Sequence, residues 1–290
     1  MTALVTGAGG FLGSHVVARL RELSIPVETL GRSGTIVLTD PGDIGAIHAA
    51  MQAVRPSLVF HLAGTTAAEP LEIAYRVNVL FGANLLAAAR AMPSPPRILL
   101  AGSAAEYGPV SKAALPLAED ATCNPRSVYG ITKLAQTMHG LAAADMLPVV
   151  VARLFNLVGG AMPPHLALGA FAAQIRALPN TGGVLRTGAL GRWRDFVEVG
   201  PAAAVLVDLV RDPLAAGKLI NVCSGVPTSL AALTQALVAA AGRPIQIQEE
   251  AGRNGNSDAI HHWGSATRLA ALGHHLPPPD PYRVAVALLG

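Results

Sequence analysis

The stretch Thr2-Ala-Leu-Val-Thr-Gly-Ala-Gly-Gly-Phe-Leu-Gly13 decides the fold of this chain. A short apolar run is followed at once by Gly7, Gly10 and Gly13, and an amphipathic helix is predicted over residues 11–23. Glycines here permit a tight turn and let the backbone approach a pyrophosphate at the helix N-terminus. Because the chain has 30 glycines, a merely structural turn is the alternative. The position between a first strand and a first helix favours a nucleotide-binding turn.

Predicted strands and helices alternate along the N-terminal half. Buried apolar strands that alternate with helices indicate an α/β fold with a doubly wound parallel sheet, the Rossmann arrangement. We expect residues 1–156, with part of the later chain, to form the dinucleotide-binding domain. Residues from about 157 to 290 are expected to form mainly a smaller substrate-binding lobe, interleaved with the first domain. The further strands are predicted at residues 26–30, 36–38, 57–61, 97–101 and 148–154, and two further helices at residues 71–90 and 127–144.

The composition excludes several classes of protein. The 290 residues are 51% hydrophobic and 13% charged, with a net charge of +3, and no concentrated basic run suggests a nucleic-acid partner. The longest apolar runs are far shorter than a membrane span, and no signal-like segment opens the chain. Cys123 and Cys223 stand alone, and the paired histidines lack further ligands, so no metal site is predicted. We expect a cytoplasmic protein.

The pentad Tyr129-Gly-Ile-Thr-Lys133 is the second informative motif, because the chain has only three lysines among its 21 basic residues. Residues i and i+4 of a helix lie on the same face. A cation about 4 Å from a phenol contributes ~4 kcal/mol at an effective dielectric of about 20, or about three pKa units. We therefore expect Lys133 to bring the pKa of Tyr129 toward neutrality, where a general acid works best. The alternative is a packed tyrosine beside a solvated lysine.

The end of the second predicted strand selects the cofactor. An acidic residue there would hold the ribose 2′-hydroxyl of NAD, whereas an arginine accommodates the 2′-phosphate of NADP. The chain has Gly31-Arg32-Ser33 and no carboxylate at this place. NADP(H) is therefore the preferred cofactor and NAD(H) remains possible. The alternative is that Arg32 is a solvent-exposed loop residue that does not contact a cofactor.

Seven motifs run in one order over nearly the whole chain. Together they resemble those of the extended short-chain dehydrogenase/reductase family, the NAD-dependent epimerase/dehydratase group that modifies nucleotide sugars. The motifs are Thr6-Gly-Ala-Gly-Gly-Phe-Leu-Gly13, His61-Leu-Ala-Gly64, Val77-Asn78-Val79, Ser103-Ala-Ala-Glu-Tyr-Gly108, Tyr129-Gly-Ile-Thr-Lys133, Arg153-Leu-Phe-Asn156 and Arg194-Asp-Phe196.

The resemblance implies a role for each matching position. Ser103 would hydrogen-bond the reacting carbonyl or hydroxyl, Tyr129 would transfer the proton, and Lys133 would hold the nicotinamide ribose. Further cofactor contacts are implied for Gly7, Gly10, Phe11, Leu12, Gly13, Arg32, Asp40, Leu62, Ala63, Gly64 and Asn78. Contacts with a nucleotide-sugar substrate are implied for Ser103, Glu106, Asn156, Arg186 and Arg194.

Three reactions compete within the family. Dehydratases place an acid two residues before the tyrosine of the Ser/Thr-x-x-x-Tyr-Gly segment; here that position is Ala105, which disfavours dehydration. Arg32 points to NADP, the usual donor for net reduction. The run from Thr187 to Phe196 is similar to the corresponding segment of the GDP-4-keto-6-deoxymannose reductases. We therefore expect NADPH-dependent reduction of the C4 carbonyl of a nucleotide-linked 4-keto-6-deoxysugar. The alternatives are a 4-epimerase that uses bound NAD and, in another class, a non-catalytic NADP sensor.

Two further expectations follow from the resemblance. The predicted helices at 71–90 and 127–144 are apolar on more than one face, and in this family such helices form a four-helix homodimer interface. The family also has an aspartate shortly after its Arg-Asp-Phe element, whereas this chain reads Val197-Glu-Val-Gly-Pro201. This departure leaves the identity of the sugar open.

Overall fold

A computed structural model describes residues 1–66, 70–250 and 260–290. Its strands fall where the sequence predicts them, within two residues at either end, as far as residue 154. The strands are β1 (Ala3–Thr6), β2 (Val27–Gly31), β3 (Ile36–Val37), β4 (Leu58–His61), β5 (Arg97–Ser103), β6 (Val149–Leu154), β7 (Asn156–Val158), β8 (Gly183–Thr187), β9 (Trp193–Glu198), β10 (Leu219–Val222), β11 (Pro227–Ser229), β12 (Ile245–Glu249) and β13 (His261–His262).

The helices alternate with the strands of the N-terminal half. The predicted helix at residues 71–90 is continuous but contains a π-helical turn, Arg76–Leu80. Ser127 caps the helix that carries the tyrosine pentad, accepting a hydrogen bond from Gly130 N–H at 3.1 Å. The helices are α1 (Phe11–Glu22), α2 (Ile44–Val54), α3 (Leu71–Tyr75), α4 (Phe81–Arg90), α5 (Val128–Ala143), α6 (Ala167–Ala177), α7 (Val199–Arg211), α8 (Leu230–Ala240), α9 (Thr267–Ala271) and α10 (Pro281–Leu289).

The central sheet is parallel and doubly wound, as predicted. Its strand order is β10-β6-β5-β4-β1-β2-β3, so the order reverses direction between β1 and β4. In such sheets ligands bind outside the carboxyl ends of the strands, at the point of reversal. Strand β10 comes from the later chain and pairs with β6, Leu219 opposite Val151. The two halves of the chain are therefore interleaved.

The sheet is covered on both faces, which explains its continuous apolar strands. On one face, Val16, Val17 and Leu20 of α1 pack with residues of α7 such as Leu206. On the other face, residues of α2, α4 and α5 form a second apolar cluster that includes Met51. All four residues of β4 are buried.

The C-terminal part adds a smaller layer. Strand β9 pairs with β7, β11 and β13, and β8 pairs with β12 in a separate two-stranded sheet. Helices α6, α8 and α10 enclose an apolar cluster that contains Phe171, Leu237 and Val284. The assignment of this layer as the substrate-binding lobe stays a prediction. Within the described ranges, each helix is too short or too polar to cross a membrane.

Candidate active site

The turn between β1 and α1 is built from close backbone contacts. Gly7 has a φ of +69°, and a Cβ atom placed on it would lie 2.6 Å from the Ala63 nitrogen. A Cβ atom placed on Gly13 would lie 2.0 Å from the Gly7 carbonyl oxygen. Both positions therefore require glycine, and they draw α1 and the end of β4 against the turn.

The N-terminus of α1 fits an anionic ligand. Gly10 precedes the helix in an extended conformation, and no side chain of the described residues caps it. The first amide groups of a helix have no acceptor within the helix, and the helix dipole favours negative charge there. The cradle of Gly7, Gly10 and Gly13 with the amides of Phe11 and Leu12 can therefore hold a pyrophosphate.

The neighbouring loops border the turn. Arg32 is exposed directly after β2, and a Cβ atom placed on Gly9 would lie 4.0 Å from Ser33 Oγ, so the Arg32 loop adjoins the glycine turn. Asp40 accepts hydrogen bonds from Gly42 N–H at 2.8 Å and from Arg76 Nη1 at 2.9 and 3.0 Å. The bond from Gly42 and then the Arg76 guanidinium lower the pKa of Asp40. The Asp40 carboxylate therefore stabilises the loop in which it lies.

The segment after β4 forms the floor between the glycine turn and α5. A Cβ atom placed on Gly64 would lie 3.4 Å from both Asn78 Oδ1 and Lys133 Nζ. Asn78 is fully buried in the π-helical turn, donates to Thr132 Oγ1 at 2.9 Å and accepts from Thr65 N–H at 2.8 Å. Gly64 thus lies beside Lys133, Leu62 and Ala63 lie against Gly7, and Asn78 holds this segment against α5.

Lys133 carries its ammonium inside the protein. Its Nζ donates to the Ala101 carbonyl at 2.8 Å and to Gln136 Oε1 at 3.2 Å, and the residue is 3% exposed. Burial lowers the pKa of Lys133 to about 8, and the negative charge of Glu106 opposes that change. The side chain therefore remains protonated at neutral pH.

Ser103 and Tyr129 face each other across the ends of two elements. Ser103 is the last residue of β5, where it pairs with Leu154 of β6, and Tyr129 lies in the first turn of α5. Burial raises the pKa of Tyr129, while a hydrogen bond from Ser103 opposes the rise. The depressed pKa expected for Tyr129 is thus not found here, because burial outweighs the neighbouring groups and the Lys133 ammonium is directed at Ala101.

Glu106 requires a correction. We predicted a substrate contact, but the residue is fully buried beneath Ser103. Its Oε1 accepts from Ser103 N–H at 2.7 Å and from Thr137 Oγ1 at 3.0 Å, and its Oε2 accepts from Arg153 Nε at 2.9 Å. Burial raises the pKa of Glu106, and Arg153 opposes the rise. With both oxygens occupied, this carboxylate supports the site from below.

The other predicted substrate residues lie on three strands of the C-terminal layer. Asn156 opens β7 and donates to the Asp195 carbonyl at 3.0 Å. Arg194 of β9 is half-buried and donates to the carbonyls of Trp193 and Ile260, both at 3.0 Å. Arg186 of β8 forms an ion pair with Glu250 at 2.5 Å. Asn156 lies two residues after the end of β6, whose last residue pairs with Ser103, and so lies near the Ser103 end of the central sheet. Arg186 lies on the separate two-stranded sheet.

Two buried residues of the site, Arg153 and His61, were assigned no role from the sequence. Arg153 is 2% exposed, forms a buried ion pair with Glu106 at 2.8 Å and lies 4.4 Å above the Tyr107 ring. An arginine within the apolar run of β6 signals such a pairing, because a buried charge needs a partner. His61 is also fully buried, with Nδ1 2.8 Å from Thr6 Oγ1. In the part of the chain that the structure describes, no cluster of three or more histidine, cysteine, aspartate or glutamate residues could hold a metal ion.

The site geometry defines a dinucleotide-dependent oxidoreductase site, with a glycine turn, a buried lysine and a serine–tyrosine pair at one sheet edge. A family model described as the NAD dependent epimerase/dehydratase family matches residues 3–223. The chain belongs to this family, which confirms the resemblance drawn from the seven motifs.

Characterised relatives cover most of the chain. GDP-6-deoxy-D-mannose reductase of Pseudomonas aeruginosa is 29% identical over 273 residues, 91% of this chain and 88% of that protein. dTDP-6-deoxy-L-talose 4-dehydrogenase (NAD(P)(+)) of Kitasatospora kifunensis is 30% identical over 258 residues, 84% of this chain and 80% of that protein. The solved structure of RMD from Pseudomonas aeruginosa complexed with NADPH matches with a TM-score of 0.86 and 27% identity, covering 100% of this chain and 98% of that one.

Proposed function

We propose that this protein reduces the C4 carbonyl of a nucleotide-linked 4-keto-6-deoxysugar with NADPH. The observation that carries the proposal is the arrangement of Ser103 and Tyr129 at the open end of β5, beside a buried protonated Lys133 and the glycine turn. The two relatives described above act on 6-deoxysugars joined to GDP or dTDP, which supports this substrate class.

The three side chains have separate roles in the proposed reaction. NADPH, when bound, supplies the hydride that converts the carbonyl into an alcohol. Tyr129 keeps its proton at neutral pH, because burial raises its pKa, and gives that proton to the carbonyl oxygen as negative charge develops there. Ser103 Oγ donates a hydrogen bond to the same oxygen and fixes its direction. Lys133, whose ammonium donates to the Ala101 carbonyl, would hold the nicotinamide ribose.

The preference for NADPH rests on Arg32. An exposed arginine beside the glycine turn suits a 2′-phosphate, because its guanidinium can form two hydrogen bonds with phosphate oxygens. The complex of RMD with NADPH supports the same assignment. Use of NAD(H) remains compatible with the rest of the cradle.

The C-terminal layer would bind the nucleotide diphosphate. Asn156 and Arg194 lie on the paired strands β7 and β9 of the smaller sheet, and Asn156 follows β6, the strand that pairs with the end of β5 at Ser103. Arg186 lies on the separate two-stranded sheet. A diphosphate distant from the reacting carbon supplies binding energy for positioning. The division into a dinucleotide-binding domain and a substrate-binding lobe is part of this proposal.

A homodimer and a cytoplasmic location complete the proposal. Leu80 of the π-helical turn and Ile131 and Met138 of α5 are large apolar side chains exposed on adjacent helices. Large exposed apolar side chains on neighbouring helices are typical of an interaction site. A second copy packed on these two helices would bury it in a four-helix interface.

The alternative function is 4-epimerisation with tightly held NAD, since the family includes epimerases and the Ser–Tyr–Lys set serves both reactions. One test separates the two reactions.

The proposal is tested by mixing the purified protein with NADPH and GDP-, dTDP- and UDP-linked 4-keto-6-deoxysugars and following the absorbance of the reduced nicotinamide. We expect stoichiometric oxidation of NADPH with one of these sugars. Oxidation with none, together with NAD that copurifies with the protein, would support the epimerase; binding of NADP without turnover would support a sensor.

A further inference from the structure

One buried carboxylate contacts both elements that carry the catalytic side chains. Ser103 ends β5, whereas Tyr129 and Lys133 lie on α5. Glu106 Oε1 accepts from the Ser103 N–H at 2.7 Å and from Thr137 Oγ1 at 3.0 Å. Thr137 lies four residues after Lys133, so both project from the same face of α5.

Glu106 itself has little freedom to move. Its Oε2 accepts from Arg153 Nε at 2.9 Å and lies 2.8 Å from Arg153 Nη2, so two nitrogens of the guanidinium hold this one carboxylate oxygen. The Arg153 guanidinium is in turn packed over the Tyr107 ring. A Cβ atom placed on Gly102 would lie 2.7 Å from Glu106 Oε1, so the backbone of β5 closes the remaining side.

We infer that Glu106 is a positioning residue that holds Ser103 in register with α5 and supplies the negative charge behind Lys133. This role rests on the proposed function and deepens it. It also explains why an acid occupies a position that the reaction itself does not use.

The charge of Glu106 acts on both titrating groups of α5. It raises the pKa of Lys133, against burial, and it raises the pKa of Tyr129 in the same direction as burial. The charged and titratable groups that face these three residues are Arg153 of β6, Tyr107 after β5, Cys123 before α5 and His61 of β4. Reduction needs a protonated Lys133 and a protonated Tyr129, and the Glu106 carboxylate favours both.

The direct test reads Lys133 in the free protein. The chain has three lysines, Lys112, Lys133 and Lys218, so an NMR spectrum of ¹³C-labelled lysine shows three side-chain Cε signals, and Lys133→Arg assigns the relevant one. Its titration is followed with pH in the wild type and in Glu106→Gln, which keeps an oxygen acceptor but loses the charge. We expect the midpoint of Lys133 to fall by at least half a pH unit.

Glu119→Gln is the matched control. Glu119 is buried in the same polar network, where its Oε1 accepts from Asn221 N–H at 2.9 Å, but its contacts lie away from α5. We expect it to leave the Lys133 midpoint unchanged. An unchanged midpoint in Glu106→Gln, or an equal shift in both variants, would overturn the inference. Because no substrate is present, this result is independent of whether the proposed reaction is correct.

Two variants cover the case in which Glu106→Gln does not fold. Glu106→Gln with Arg153→Gln removes both charges, leaves no unpaired buried charge and is titrated in the same way, with the same expectation for Lys133.

Thr137→Val keeps the ion pair between Glu106 and Arg153 and removes only the contact of Glu106 with α5. With an active ketosugar we expect kcat to fall three- to tenfold at unchanged KM, and Thr137→Ser to restore it; wild-type kcat in Thr137→Val would contradict the positioning role.

Discussion

Lys133 and Tyr129 reach their working protonation states by opposite responses to burial. Burial lowers the pKa of Lys133 to about 8, so the ammonium is retained at neutral pH but lost in mildly alkaline solution. Burial raises the pKa of Tyr129, so the phenol keeps its proton. At neutral pH the pair therefore holds one positive charge and one transferable proton, which suits reduction of a carbonyl.

We propose that the choice between NADPH and NADH depends on Arg32. We expect Arg32→Ala to weaken NADPH binding about tenfold or more, because it removes a charge-assisted hydrogen bond worth roughly 1.5–3 kcal/mol. NADH binding should stay within about twofold, because its ribose lacks the 2′-phosphate. Nicotinamide fluorescence titrations measure both affinities. Arg90→Ala, an exposed arginine at the end of α4, is the control; an equal loss of NADPH and NADH affinity in Arg32→Ala would contradict the assignment.

At the scale of elements, a neutral histidine joins two strands next to the glycine turn. His61 at the end of β4 contacts Thr6 at the end of β1 at 2.8 Å, and among the described residues nothing hydrogen-bonds its Nε2. Burial, and secondarily the charge of Lys133, lowers the pKa of His61 to about 3. The folded protein thus excludes a proton from His61 that the unfolded chain binds below about pH 6.5.

This difference predicts a loss of stability in acid. As pH falls from 7 to 5, the unfolded chain gains the proton and the folded chain does not, so His61 should reduce the free energy of unfolding by about 2 kcal/mol. Urea unfolding at the two pH values measures it. Over the same pH interval the free energy of unfolding of His61→Asn should fall by about 2 kcal/mol less than that of the wild type. His275→Asn, at an exposed position, should behave as the wild type. Equal pH dependence in His61→Asn and wild type would contradict the account.

The elements were predictable from sequence because local signals define them. The glycine turn and the alternation of apolar strands with helices predicted the parallel sheet, and the predicted helix that carries the Tyr129 pentad is α5. The catalytic and cofactor-binding roles of these residues stay predictions. The role of Glu106 was not predictable, because its partner Arg153 lies 47 residues away and only the pairing of β5 with β6 brings them together. The pKa direction of Tyr129 was wrong because burial, a tertiary property, outweighed the charge of a helical neighbour.

At the scale of the whole molecule, the exposed apolar face of α5 and the neighbouring π-helical turn predicts self-association. We expect Met138→Glu and Leu80→Glu to convert a dimer into a monomer in sedimentation velocity, because a carboxylate buried without a partner disfavours the interface. Met146→Glu, an equally exposed methionine just beyond α5, should leave the dimer intact. A monomeric wild type, or dimers in all three variants, would exclude this face as the interface.

The most direct test of the central claim is the fate of the nicotinamide hydrogen. NADPH deuterated at either C4 position is incubated with the active 4-keto-6-deoxysugar, and the product is examined by mass spectrometry and NMR. We predict one deuterium at sugar C4 from one of the two labelled forms, with one NADP⁺ formed per product. Tyr129→Phe should lower this rate by about 10²–10⁴-fold, and Tyr282→Phe, an exposed tyrosine of α10, should not. Product that carries no deuterium, or undiminished transfer in Tyr129→Phe, would contradict the proposed reduction.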